Sequence, residues 1–160
     1  MKYLVSLLVF LSFSAFAHPQ LGETIIHHGT AEGKGIKIKT WYAMYSVPRM
    51  MIRTETTVSG QQTEIEDEWI EETEIFNHGT AQQILTLCVA LGGQLETVTL
   101  PLGSFASCKV QGQSLQLAGY AVPEILAAAD IWLADLPVTG VVKAVGANFS
   151  IELSSYTWNQ

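Results

Sequence analysis

The stretch Leu87–Cys108, LCVALGGQLETVTLPLGSFASC, holds both cysteines of the chain, and the way it folds decides the architecture. Read as three strands, ILTLCVAL, QLETVTL and SFASCKV lie side by side in a meander. Cys88 and Cys108 then sit two strands apart, roughly 9–10 Å, beyond the reach of a disulfide. Read as a helix followed by a hairpin, the same residues can meet. Thr80 serves as N-cap, and AQQILTLCVAL places Ile84, Leu87, Cys88 and Leu91 on one helical face, which Gly92-Gly93 ends. LETVTLPLGSFASCKV follows as a hairpin turning at Pro101–Gly103. A bond between the cysteines pins that helix to the strand carrying Cys108.

The chemistry of the two thiols depends on their compartment. MKYLVSLLVFLSFSAFA has a short positive region at Lys2, an apolar run and Ala15-Phe16-Ala17, the pattern of a secretory signal peptide over residues 1–17. The run from Tyr3 to Phe13 is too short to cross a bilayer core of ~30 Å as a helix, and no cysteine follows it for a lipid anchor. The mature chain is expected to begin at His18, as a periplasmic or secreted bacterial protein peripheral to a membrane at most. Thiols in such a compartment meet oxidising conditions, where disulfides persist. Zinc takes closely spaced cysteine pairs, whereas these two lie twenty residues apart with no histidine between them, and there is no C-x-x-C redox pair. A structural Cys88–Cys108 disulfide is therefore expected.

Residues 18–160 suit a single domain. Without Lys2 the eight basic residues become seven against fifteen acidic, a formal charge of −8, and no basic cluster appears, so nucleic acid is not an expected partner. Strand signals dominate the rest of the chain. GIKIKTWYAMYSV is followed by Pro48, RMMIRTETTV, the turn signal Ser59-Gly60 and QQTEIEDEWIEETEIF. SLQLAGYAV and IWLADL read as shorter strands, split by a helical turn in PEILAAAD with Pro123 at its first position. GVVKAV and NFSIELSSYTW form a closing hairpin around Gly146-Ala147-Asn148. The expected fold is mainly β (α+β), a single curved, half-barrel-like antiparallel sheet with one or two short helices.

Three features carry candidate chemistry. HHGTA at His27–Ala31 and NHGTA at Asn77–Ala81 echo each other, but their flanks diverge, so a shared turn signal or chance accounts for them better than duplication. The acidic run Glu64, Glu66, Asp67, Glu68, Glu71, Glu72 and Glu74 lacks the spaced ligands of a calcium loop; it fits a solvated face or a guarded sheet edge. No G-x-S-x-G and no triad pattern is present, so no catalytic residue is assigned and the protein is expected to be non-enzymatic. The free amine and imidazole of a mature N-terminal His18 can chelate copper, with His27 or His28 completing the site. The two are adjacent, so in a strand they point to opposite faces and only one can join. AHPQL, Ala17–Leu21, resembles the start of mature CopC-type periplasmic copper proteins, and an N-terminal histidine is shared with copper monooxygenases.

A broader resemblance begins inside the opening stretch. GGQLETVTLPLGSFASCKV resembles the E-x-V-T-V-P-A-G-T-F-x-C signature of uncharacterised exported bacterial proteins of the LolA-like, lipoprotein-carrier-like group. IWLADLPVTGVVKAVGANFSIELSSYTWNQ is similar to their closing W-x-S-x-x-V-P-x-G-G-x-V-K…E-L segment. Glu96, Thr99, Pro101, Gly103, Phe105, Trp132, Pro137, Gly140, Val142, Lys143 and Glu152 carry the match, which spans roughly residues 88–156. Leu102 stands where the pattern has Ala, and Thr139 where it often has Gly. The resemblance implies a curved antiparallel sheet covered by helices, with a concave apolar face suited to acyl chains. Trp41, Tyr42, Trp69, Phe105 and Trp132 are the candidates to line such a cavity. The expected function is thus non-enzymatic binding of an amphipathic, lipid-like or acylated ligand, or a structural role in the envelope. Copper binding through His18, His27 and His28 is the alternative; otherwise no cofactor is expected.

Overall fold

The computed structural model describes residues 20–120, 122 and 124–158. The expected signal peptide, His18 and Pro123 lie outside them. Nine strands form one antiparallel sheet that does not close: β1 (Thr24–Ala31), β2 (Lys34–Ser46), β3 (Arg49–Val58), β4 (Glu64–Glu71), β5 (Gln94–Leu100), β6 (Gly103–Gln111), β7 (Asp130–Leu133), β8 (Val141–Val145) and β9 (Phe149–Thr157). The order is β4-β3-β2-β1-β9-β8-β7-β6-β5, so β4 and β5 are its edges. Two runs of neighbouring hairpins are joined by pairing of β1 with β9, the first and last strands. Register shifts at Ile26/His27, Tyr42/Met44 and Trp132/Leu133 mark bulges, which bend their strands and raise the local twist. This is the curved, mainly β sheet that the strand pattern predicts.

The helices are α1 (His78–Leu87), α2 (Gly112–Leu117) and α3 (Glu124–Ala127). Asn77, not Thr80, caps α1: its side-chain oxygen accepts from the Thr80 backbone N–H at 3.0 Å. Asn is the stronger N-cap, and it draws His78 and Gly79 into the helix ahead of Thr80. Regular helix ends at Leu87, and one more turn runs to Gly92, whose φ of 77° lets the chain reverse. There Gly93 N–H donates to Cys88 C=O at 2.8 Å and Gly92 N–H to Val89 C=O at 3.0 Å, the paired bonds of a Schellman end. Ile84 and Cys88 are buried as expected, but Leu87 is 41% exposed. The buried stripe instead runs through Ala81, Ile84 and Cys88, with Leu85 and Leu91 packed beside it, so Leu87 falls on the flank.

SLQLAGYAV is not a strand; its first residues belong to α2. Leu115 and Leu117 mimic strand alternation, and six residues are too few to display a helical period. Only Leu115 is buried, while Leu117 is 84% exposed. The end of α2 repeats the chemistry of α1: Tyr120 N–H donates to Leu115 C=O and Gly119 N–H to Gln116 C=O, both at 3.0 Å.

Cys88 and Cys108 are bonded, with their Cα atoms 5.6 Å apart, and both are fully buried. They sit in a cluster with Ile84, Val110, Leu115, Ile131, Ala144 and Ile151, where helices meet sheet. A second cluster gathers Ile25, Tyr42, Met50, Ile75, Leu136, Val138, Val142 and Leu153. Tyr42 ties three segments together there, its hydroxyl donating to Phe76 C=O at 3.0 Å and Val138 C=O at 3.3 Å. Burial pushes the Tyr42 phenol upward from its ordinary pKa, with a smaller push from the Glu23 carboxylate. The echoed HGT motifs have unrelated roles: one ends β1, the other opens α1.

Candidate functional site

The five candidate aromatics separate into two groups. Tyr42 and Trp132 belong to the second cluster, and Phe105 packs against it with its ring edge-on to Tyr156 at 6.4 Å. Trp41 and Trp69 lie elsewhere, on the opposite face of the β2–β4 strands from Tyr42. Cross-strand partners share a face. One row across the strands is Trp41, Arg53, Asp67; after the bulge, the next is Met44, Met51, Trp69. These rows set Met44, Met51 and Trp69 abreast, with Trp41 in the next row on β2.

Near the end of the sheet, Tyr45 is paired with Met50 and so lies on the opposite face from Met44 and Trp69, and Val47 follows it at the turn into β3. Gly22 N–H bonds to Tyr42 C=O at 3.0 Å, which sets Leu21 beside β2. Leu21, Met44, Tyr45, Val47 and Trp69 are all exposed, Val47 by 76%. An apolar end of this kind, with aromatic rings at its margin, is what a monomeric fold ordinarily avoids. Cations border it. Lys39 Nζ lies 4.4 Å from the Trp41 ring centroid and the Arg49 guanidinium 5.7 Å from that of Trp69. Arg53 grips Asp67 through two bonds of 2.5 and 2.6 Å, and this pairing holds the Asp67 carboxyl below its usual pKa. Each of these cations also faces a carboxylate on a neighbouring strand: Lys39 is opposite Glu55, Arg49 opposite Glu71, and Arg53 is bonded to Asp67.

Four of the residues carrying the sequence resemblance, Glu96, Trp132, Lys143 and Glu152, meet nearer the other edge. Trp132 Nε1–H donates to Glu96, and Lys109 and Lys143 lie over the Trp132 ring at 4.9 and 5.6 Å. Lys143 is in turn paired with Glu152 at 2.7 Å, and Lys109 with Asp130 at 3.1 Å. Both lysines are paired across neighbouring strands and Glu96 reaches past β6 to the indole, so the row's evident role is to shield the ring and fix strand register.

Among the described residues, His27 and His28 do not converge on one site. His27 is buried in β1, and its Nε2–H donates to Val141 C=O at 2.8 Å. Burial lowers its pKa from the ordinary 6.5, partly opposed by that bond. His28 is exposed, as strand alternation requires of its neighbour, and His18 lies outside the described residues. Among the described residues, no three His, Cys, Asp or Glu side chains are grouped to hold a metal ion. The acidic run forms β4, the edge strand, and its following 3₁₀ turn. An open depression of about 500 Å³ lies where the β1–β2 and β8–β9 turns meet, lined by Thr30, Glu32, Asn148 and Phe149 among others, away from all five aromatics.

The fold and surface define a disulfide-bonded, open antiparallel-sheet protein with an exposed aromatic end. Among the described residues no helix is long and apolar enough to cross a membrane. No family model, curated protein or solved structure matches this chain.

Proposed function

We propose that this protein acts outside the cytoplasm, without catalysing a reaction, by binding an amphipathic, lipid-like ligand at the aromatic end of its sheet. The supporting observation is the number of exposed apolar side chains at this end of the sheet: Met44 and Trp69 on one face, Tyr45 on the other, Val47 at the turn and Leu21 beside β2, with Arg49 over Trp69. Each methylene removed from water against such a surface contributes ~0.8 kcal/mol. Tryptophan and tyrosine add rings that are apolar in body and polar at one end, matched to the boundary between acyl chain and head group. A disulfide that persists in an oxidising compartment fits export.

The test is a titration with lysophosphatidylcholine, a single-chain amphiphile, kept below its micelle concentration and followed by tryptophan fluorescence. Wild type should give a saturable blue shift. Tyr45→Ser with Val47→Asp, both at the exposed tip, should weaken binding about tenfold or more, since each removes apolar contact. Equal binding by the two proteins would place the ligand elsewhere, and no binding by either would remove the proposal.

A further inference from the structure

Among the described residues the sheet has two open edges, β4 and β5, and they are built differently. An edge strand offers a row of unpaired backbone N–H and C=O groups to any second strand. Natural proteins block such pairing with charge, and β4 carries it: Glu64, Glu66, Asp67, Glu68 and Glu71 within eight residues. Partners in an antiparallel pair share a face, so two copies of β4 can pair only about a two-fold through a residue. A two-fold through Asp67 opposes Asp67 to Asp67 and Glu66 to Glu68, and one through Glu68 opposes Glu68 to Glu68. Like charges directly opposite destabilise a strand pair, so β4 rejects itself in every central register.

The seven residues of β5, QLETVTL, lack this protection. Their single charge, Glu96, is drawn back toward the sheet by the Trp132 indole N–H. Two copies of β5 about a two-fold through Thr97 oppose Thr97 to Thr97, Glu96 to Val98 and Leu95 to Thr99. No like charges face one another; moving the two-fold to Glu96 would oppose Glu96 to itself, whereas moving it to Val98 opposes Val98 to Val98 and Glu96 to Leu100. Leu95 is exposed, and Val98 and Leu100 are half-buried on the other face. In the pair Val98 lies diagonal to its copy, within reach of contact.

We propose that β5 is a self-association edge, through which two copies of this chain pair antiparallel into one continuous sheet. The pairing uses the same patch on both copies, so it closes at a dimer. One short strand per copy makes a small interface, and the dimer should be weak and concentration-dependent. The inference is independent of ligand binding at the aromatic end, which lies at the other edge of the sheet.

Sedimentation velocity of the purified exported protein, from micromolar to millimolar concentration, tests it. The expected result is a monomer–dimer equilibrium whose dissociation constant rises roughly tenfold or more in Thr97→Lys, which sets two lysines face to face. Thr97 is exposed, so the variant should keep the wild-type circular dichroism. If it does not fold, Thr97→Cys decides: mild oxidation should give a covalent dimer, whereas Glu66→Cys on β4 should give none. A monomer at all concentrations overturns the proposal. So does a dimer that Thr97→Lys leaves unchanged, uncrosslinked Thr97→Cys, or an open-ended oligomer series, which would indicate head-to-tail pairing of β4 with β5.

Discussion

Reducing the Cys88–Cys108 bond should cost this fold a large part of its stability. The two residues are twenty apart in sequence. In the chain-entropy model, closing a loop of that length removes about 3 kcal/mol of freedom from the unfolded chain. The bond also does local work, holding the last turn of α1 against β6 inside a fully buried cluster. The assay is equilibrium urea unfolding, followed by tryptophan fluorescence, of oxidised and reduced wild type. With a slope of ~2 kcal/mol per molar, the reduced protein should unfold about 1.5 M earlier. Cys88→Ser should lose at least as much, because it leaves buried polar groups where the bond was. It should still bind lysophosphatidylcholine when folded, since the aromatic end is built by β2, β3 and β4 at the far side of the sheet. Equal midpoints for the oxidised and reduced proteins would refute the reasoning. So would two free thiols titrated in unfolded, unreduced protein.

Three further outcomes follow from single contacts. Tyr42→Phe removes the donor shared by Phe76 and Val138 carbonyls and should cost about 1–3 kcal/mol, read as a lower urea midpoint at unchanged slope. In Gly29→Ala the new Cβ would lie 1.8 Å from the backbone oxygen of Ser150. The β1–β9 pair must then part, and the melting temperature should fall by the equivalent of about 3 kcal/mol or more. His27 titrates below its ordinary 6.5 in the folded protein, so the unfolded chain takes up that proton first as pH falls. Its contribution is complete above about pH 6.5 and is lost as pH falls from there toward the folded value. His27→Gln should flatten that part of the midpoint-versus-pH curve, and an unchanged slope would show that His27 is not its source.

Much of the fold was legible because its signals are local. The β2–β3, β5–β6 and β8–β9 hairpins announce themselves through alternation broken by Pro48, Pro101–Gly103 and Gly146-Ala147-Asn148. The disulfide followed from compartment and geometry. The pairing of β1 with β9 had no such signal, since it joins the two ends of the chain through register alone. His27 hid β1 further by placing a polar residue at a core position of the strand. The second short helix, α2, escaped because Leu115 and Leu117 alternate like a strand. At the candidate site, Trp41 and Trp69 stood out as aromatics, yet their meeting depends on the β2–β4 register and the bulge before Met44. Leu21, Met44, Tyr45 and Val47 were invisible, since exposure of an apolar residue is a property of the assembled sheet.

Native mass spectrometry of the protein taken from its own exported compartment tests the central claim most directly. Ligand binding at the aromatic end predicts a co-purifying mass of several hundred daltons that extracts into organic solvent. That mass should be depleted in the Tyr45→Ser, Val47→Asp variant prepared in the same way. A bare chain from wild type, or a bound copper ion in place of an organic mass, would contradict it.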